Sequence, residues 1–151
     1  MKVEGEYHFD FPRELVYKTF NDPDALQKSF PGMKKLEKID ESHYEATLGI
    51  RIGPVSANFN GNLALTDEVP PESVTLIIEG KGGAGFVKGT GYVTFENPGD
   101  NSTLLKYTGD AAIGGTLASV GQRMVDGVVK NMFKTVFDNL NKIMEEKWPT
   151  K

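Results

Sequence analysis

The sequence predicts an α+β domain in which a curved antiparallel sheet of seven strands wraps around one long C-terminal helix. Three observations lead to this fold class. Residues 2–9 alternate apolar and polar side chains, residues 33–113 contain further strand-like runs separated by turn residues, and residues 116–146 change to a helical period. A sheet with one apolar face needs a cover, and only the last segment is long enough to provide it.

The first strand places four residues on one side, namely Val3, Gly5, Tyr7 and Phe9. Two short helices are expected next. Asp10 and Pro12 open the first, and Asp22-Pro23 opens the second. Pro31-Gly32 ends the second helix, because proline and glycine do not continue a helix.

Six more strands are expected at residues 36–39, 44–51, 55–68, 74–79, 87–96 and 103–113. Turn residues such as Gly53-Pro54 and Pro70-Pro71 separate them. The alternation is clearest over residues 55–65, with Val55, Ala57, Phe59, Gly61, Leu63 and Leu65 on one face and polar residues on the other. The sheet is therefore predicted to have one dry face and one wet face.

The long helix is expected from Thr116 to about Glu146, which at 1.5 Å per residue is roughly 45 Å. Its inward stripe is Leu117, Val120, Met124, Val128, Met132, Val136, Leu140 and Ile143 or Met144. We predict one domain over residues 1–147 and a short tail over 148–151.

The amino-acid composition narrows the classes of function that this protein can have. The 151 residues include no cysteine, which excludes disulfides and thiol chemistry, and the net charge of −4 disfavours nucleic-acid binding. The N-terminus lacks the apolar stretch of a signal peptide, and no run reaches the roughly 18 apolar residues of a membrane span. We expect a cytoplasmic protein whose membrane contact, if any, is peripheral at the inner membrane face.

Catalytic motifs are not found. His8 and His43 fall at outward or strand-edge positions, without the neighbours of a metal site or of a Ser-His-Asp triad. Residues 80–85 match GxGxxG, but a strand follows them where a dinucleotide fold needs a helix. Two interpretations stay open for this glycine run, a flexible loop that gates a cavity or a plain turn. We predict no catalytic residue, no metal and no cofactor.

Seven segments resemble, in the same order, the G-subunit family of carbon-monoxide dehydrogenase, which is part of the START-like helix-grip superfamily: residues 21–26, 30–32, 44–46, 52–55, 70–72, 80–86 and 114–123. The resemblance implies the helix-grip fold, an internal apolar cavity, and a role beside molybdenum-containing carbon-monoxide dehydrogenase or a related hydroxylase. It also implies membrane recruitment of that enzyme and handling of a lipophilic quinone.

The predicted cavity lining combines apolar residues with glycines that leave volume unfilled: Leu48, Ile50, Phe59, Leu63, Leu76, Ile78, Gly89, Gly91, Val93, Tyr107, Gly121, Met124, Val128 and Met132. Core packing is the alternative for each of them. The predicted mouth is Phe30, Met33, Gly82, Gly83 and Phe86, beside the first turns of the long helix. Gly121 is expected inside that helix, facing the sheet, so that leucine there would keep the fold and block the cavity.

These patterns favour a binding or carrier protein for a quinone or another lipid, accessory to a redox enzyme. Two other classes stay open. One is a docking or membrane-recruitment module whose cavity is incidental, and the other is an enzyme similar to polyketide cyclases, which would need inward acids or histidines.

Overall fold

The computed structural model describes residues 1–149; Thr150 and Lys151, the end of the predicted tail, lie outside the described residues. The elements are β1 (Lys2–Phe9), α1 (Arg13–Phe20), α2 (Pro23–Ser29), β2 (Met33–Asp40), β3 (His43–Ile52), β4 (Val55–Val69), β5 (Ser73–Gly82), β6 (Gly85–Gly99), β7 (Ser102–Gly114), a 3₁₀ helix (Gly115–Val120) and α3 (Gln122–Lys147).

The seven strands form one antiparallel sheet in the order β1-β7-β6-β5-β4-β3-β2. The first strand closes against the last, and α3 then returns across the inner face. The backbone of α3 approaches β1 on one side of the sheet and β3 on the other. The predicted fold class is confirmed.

The two short helices, α1 and α2, both pack against α3. Pro23 begins α2, and the Asp22 carboxylate caps it by accepting from the Asp24 amide at 3.0 Å. The Asn139 side chain donates to the carbonyl oxygen of Ser29 at 2.9 Å, which fixes the end of α2 to the middle of α3.

The predicted single helix over residues 116–146 is wrong at its start. Residues Gly115–Val120 form a 3₁₀ helix, and α3 begins only at Gln122. Between them Gly121 has φ +95°, in the left-handed region that favours glycine. The apolar spacing from Leu117 onward fits an α-helix, but the positive φ at Gly121 interrupts it.

Buried apolar residues form two separate clusters. The larger, here called the C-terminal cluster, packs the second half of α3 against α1, α2 and the sheet; its buried members are Phe9, Phe11, Val16, Tyr17, Ala25, Val74, Phe95, Leu105, Val136, Phe137, Leu140 and Met144. Trp148, assigned to the predicted tail, also packs against it. The smaller, the N-terminal cluster, joins Ile52, Phe59, Leu117 and Val125 at the start of α3. The two clusters hold the two ends of α3 on the sheet.

Candidate functional site

The sheet register places every predicted strand residue of the cavity lining on one face. Cross-strand partners project to the same side, and the pairs are Leu48 with Phe59, Ile50 with Ala57, Leu63 with Ile78, Ile78 with Gly89, Leu76 with Gly91, and Val93 with Tyr107. This is the face that α3 covers, because Tyr107 contacts Phe133 and Phe59 clusters with Val125. Phe59 itself is buried in the N-terminal cluster, so it packs the core at one end of this face.

Burial along α3 falls in the middle of the helix. Its buried residues are Val125 near the start and Val136, Phe137, Leu140 and Met144 in the second half. From Val125 to Val136 the helix runs about 16 Å without a buried side chain between them. Val128 and Met132, both predicted lining residues, lie in this stretch and are half-buried, Val128 at the edge of the N-terminal cluster and Met132 at the edge of the C-terminal cluster. Burial is therefore less complete in the middle of α3 than near its two ends.

The central strands show the same pattern from the other side. Leu48, Leu63 and Leu76 are half-buried although they point inward, and Ile78 is 40% exposed. Apolar side chains at these positions would be buried if α3 packed directly on the sheet. The inner face between the two clusters is therefore not sealed by the helix.

Glycines form the floor of this region. A Cβ placed on Gly91 would have only the carbonyl oxygen of Thr108 within 4 Å, at 3.7 Å. A Cβ on Gly80 would meet only the neighbouring strand, at Asn60 O and Phe59 Cβ, both 3.9 Å away. Within the described chain, no atom of α3 comes within 4 Å of either position. A side chain at Gly80 or Gly91 would therefore not collide with α3 at its Cβ.

Between the clusters, the inward residues that the structure describes on β3 to β7 are mostly aliphatic side chains, alanines and glycines, and the polar side chains among them are Tyr107 and the buried Tyr44. Both histidines are exposed, His8 beside Asp10 and His43 beside Asp40. Within residues 1–149, no three His, Asp or Glu side chains converge in a way that could hold a metal ion. The inner wall can exclude water and contact apolar groups, but it offers few groups for chemistry.

Tyr107 is held by aromatic contacts. Its ring lies edge-on to Phe133, with centroids 5.0 Å apart, and tilted against Phe137 at 6.0 Å. On its other side the ring lies over Gly5, its cross-strand partner on β1. A Cβ added to Gly5 would come within 2.7 Å of the Tyr107 Cζ atom. Burial, and then the negative charge of Asp126, raises the pKa of the Tyr107 phenol above its ordinary value.

Of the predicted mouth residues near the β5–β6 turn, Gly82 pairs with Phe59 on the inner face, whereas Gly83 lies in the turn and Phe86 on the other face of the sheet. Gly82 and Gly85 are paired strand residues, so the glycine run is a tight two-residue turn and not a flexible loop. Phe86 pairs with Gly114 on the opposite, convex face, and its ring covers that glycine while remaining 42% exposed. The plain-turn interpretation of residues 80–85 agrees with this geometry.

The other predicted mouth residues lie on the inner side. Met33 pairs with Leu48 and is half-buried, while Phe30 packs against the C-terminal cluster. Met124 is 44% exposed, and its sulfur lies over Gly53 at the tip of the β3–β4 hairpin. Gly121 is exposed outside α3, and no described atom lies within 4 Å of a Cβ added there, so it does not face the sheet from within the helix.

The structure also has two surface clefts. One, of about 510 Å³, is at the C-terminal end of α3 and is lined by Tyr17, Lys18, Thr19, Asn21, Asp22, Lys38, Glu41, Glu68, Lys147 and Trp148. The other, of about 400 Å³, runs over β5 to β7, where outward residues such as Ile77, Lys88 and Thr90 line it together with Ile78 and Gly89, two of the predicted lining residues. The first cleft has a charged lining and the second is open to solvent. Neither is therefore suited to bind a wholly apolar molecule.

Three residues of the site were not recognised as such in the sequence. Phe133 fixes the Tyr107 ring, Gly5 leaves room for it, and Asp126 is the charged group that influences it. The spacing of Phe133 and Phe137 by four residues indicated an aromatic helix face. Gly5 could be recognised only from its pairing with Tyr107, which depends on strand register.

Residues 5–144 match the profile of the CoxG family, described as the G subunit of carbon monoxide dehydrogenase. The chain belongs to this family. The match spans nearly all of the sheet and most of α3, so it includes the whole inner face described above. A search of curated proteins found no significant match.

Solved structures extend the comparison. A conserved protein from Geobacillus kaustophilus is 34% identical, with a TM-score of 0.92 over 97% of this chain and 96% of that one. A START superfamily protein from Mycobacterium smegmatis is 16% identical, with a TM-score of 0.75 over 96% and 97% of the two chains. The Zhui aromatase/cyclase of a Streptomyces species is 14% identical, with a TM-score of 0.74 over 97% and 94%. The last two likenesses show the START-like helix-grip fold.

Membership of the CoxG family indicates a binding or accessory protein. Among the helices within residues 1–149, none is both long enough and apolar enough to cross a membrane.

Proposed function

We propose that this protein is a carrier for a lipophilic small molecule, held between the sheet and the middle of α3. The observation that carries the proposal is the gap in burial between the two clusters. Val125 and Val136 are each buried, but the helix between them and the strands beneath it are not. A lipophile in this space would cover the apolar wall that the protein leaves unsealed.

The shape of the wall supports an elongated or flat occupant. Gly61, Gly80 and Gly91 lie on the three adjacent strands β4, β5 and β6, so part of the floor is backbone with no side chain rising from it. Met132 on the helix side is flexible and can adapt to different ligands. A quinone or another isoprenoid or acyl lipid fits these features.

We further propose that the carrier serves a molybdenum-containing carbon-monoxide dehydrogenase or a related hydroxylase. Membership of the CoxG family supports this partner. The carrier would act in the cytoplasm, with peripheral contact at the inner face of the membrane where lipophiles are exchanged. Purification of the hydroxylase encoded in the same genome, with and without this chain, would test the partnership through its reduction of a quinone acceptor.

A cyclase-like activity has less support, although the Zhui aromatase/cyclase shares the fold. Acid-base chemistry needs titratable groups inside the cavity. Within the described chain, the inward positions of β3 to β7 between the clusters offer only the phenols of Tyr44 and Tyr107, and that of Tyr44 is sealed from solvent.

Extraction of the purified protein with organic solvent, followed by mass spectrometry, tests the carrier directly. We expect close to one lipophile per chain, since an apolar wall exposed to water binds available lipid during expression. A protein that carries no lipophile and takes none up after incubation with lipid extract would favour the docking module with an incidental cavity.

A further inference from the structure

The Tyr107 hydroxyl has no hydrogen-bond partner among residues 1–149. The two other inward-facing tyrosines of the sheet differ from Tyr107, one in having a partner and the other in being sealed from solvent. The Tyr7 hydroxyl donates to the Asp138 carboxylate. The Tyr44 hydroxyl is also unpartnered within the described residues but is sealed from solvent, whereas that of Tyr107 is not sealed. A half-buried hydroxyl that is neither satisfied nor sealed is available to a ligand.

The surroundings of Tyr107 hold its hydroxyl beside Gly5 of β1. Phe133 and Phe137 hold the ring from the helix side, while Gly5 provides the space on β1 that the phenol occupies. Any larger residue at position 5 would collide with the ring. Glycine in a strand weakens the strand, so its presence here has a packing reason.

The charge around the Tyr107 hydroxyl favours an uncharged ligand. Asp126 is the charged group whose field reaches the phenol, and its own partner is Lys130 at 3.4 Å. Because burial and Asp126 both favour the protonated phenol, the hydroxyl is a donor at neutral pH. An anionic head group would meet the carboxylate, whereas a neutral acceptor would not.

We infer that Tyr107 is the polar anchor of the cavity, donating a hydrogen bond to an uncharged acceptor such as the carbonyl of a ketone, ester or related lipophile. Gly5 is a positioning residue, since it acts on the ligand only through the place it gives to Tyr107. This inference rests on the proposed carrier function. It adds a ligand class, because it favours neutral carbonyl-bearing lipophiles over fatty-acid anions of the same length.

The test uses the fluorescent lipophile N-phenyl-1-naphthylamine as a reporter and three competitors with similar chains: methyl laurate, laurate and dodecane. For the unaltered protein we expect methyl laurate to displace the reporter at lower concentration than laurate or dodecane. Tyr107→Phe should weaken methyl laurate about threefold to tenfold, the range for one hydrogen bond, and leave dodecane unchanged.

Gly5→Ala should reproduce the selective loss, since it displaces the hydroxyl without removing it. Tyr92→Phe is the matched control, because Tyr92 is an exposed tyrosine on the convex face. An equal effect of Tyr107→Phe on ester and alkane, or tighter binding of laurate than of methyl laurate, would overturn the assignment of Tyr107. If the unaltered protein took up no reporter at all, the carrier function and this inference would both fail.

Discussion

The carbonyl oxygen of Ala84 accepts a 2.8 Å hydrogen bond from the backbone amide of Leu117. Ala84 lies at the tip of the β5–β6 hairpin, and Leu117 is a buried member of the N-terminal cluster. Gly85 and Gly115 also approach closely there, at positive φ values of 133° and 80°. The glycine run is therefore docked onto the 3₁₀ helix, and a ligand cannot enter through it without breaking this contact.

Hydrogen exchange locates the entrance. On addition of N-phenyl-1-naphthylamine we expect slower exchange in residues 30–33 and 127–132, which border the unsealed middle of α3. Residues 83–86 should not change, because their contact with the 3₁₀ helix is already formed. Residues 102–106, against the C-terminal cluster, provide an internal reference. Protection gained only in residues 83–86 would restore the glycine turn as the mouth.

Two glycines of the helical region should respond to alanine with opposite signs. Gly121 has φ +95°, so Gly121→Ala should lower the free energy of unfolding by about 1 kcal/mol. Gly127 lies within α3 and has no described atom within 4 Å of an added Cβ, so Gly127→Ala should raise it by up to about 1 kcal/mol through helix propensity. Urea denaturation measures both. A stabilising Gly121→Ala would show that residue 121 is helical after all.

The Tyr7 hydroxyl donates to Asp138 and ties β1 to α3. This bond and the neighbouring Lys134 lower the pKa of Asp138, while burial and the bond to Asp138 raise the pKa of Tyr7. In a double-mutant cycle of Tyr7→Phe and Asp138→Asn we expect a coupling energy of about 0.5–1 kcal/mol at pH 7, small because the Asp138 side chain is exposed to solvent.

The pH dependence of this coupling has a defined sign. Because the pKa of Asp138 is lowered in the folded protein, the stabilisation from its carboxylate is fully present above the ordinary aspartate pKa of about 4. It disappears as the pH falls through the folded pKa. Because the pKa of Tyr7 is raised, the bond is lost only as the pH rises past about 10 and through its folded value. Asp126→Asn in place of Asp138→Asn is the control, since Asp126 pairs with Lys130. A coupling that did not weaken in acid would rule out the carboxylate as acceptor.

The sequence indicated the strands and their inward faces well, for a physical reason. Alternation in β4 from Val55 to Leu65 assigns each residue to a face, and hydrogen-bonded pairing carries that face across the sheet. Each predicted strand from 36 onward lies within an observed strand, and the observed strands extend a few residues further.

Three features of the site could not be predicted from the sequence. The spacing of Leu117 and Val125 suits a continuous α-helix, and only the backbone conformation of Gly121 shows that it is interrupted. The docked hairpin depends on contact between Ala84 and Leu117, which are distant in sequence. The role of Gly5 likewise depends on its register with Tyr107.

Filling the floor at Gly91 tests the cavity most directly. Gly91→Leu places a side chain where only Thr108 O lies within 4 Å of the added Cβ. The control is Thr90→Val, which changes the preceding residue on the opposite, exposed face of the sheet. The measurement is a titration with N-phenyl-1-naphthylamine, paired with urea denaturation of each variant. We expect Gly91→Leu to keep the free energy of unfolding and to lose at least about tenfold in probe affinity. The leucine side chain takes the place of probe contacts worth more than about 1.4 kcal/mol, which corresponds to a tenfold change in affinity. Thr90→Val should bind as the unaltered protein does. A fall of about 1–3 kcal/mol in stability from overpacking, or unchanged probe affinity in Gly91→Leu, would contradict a ligand cavity between the sheet and α3.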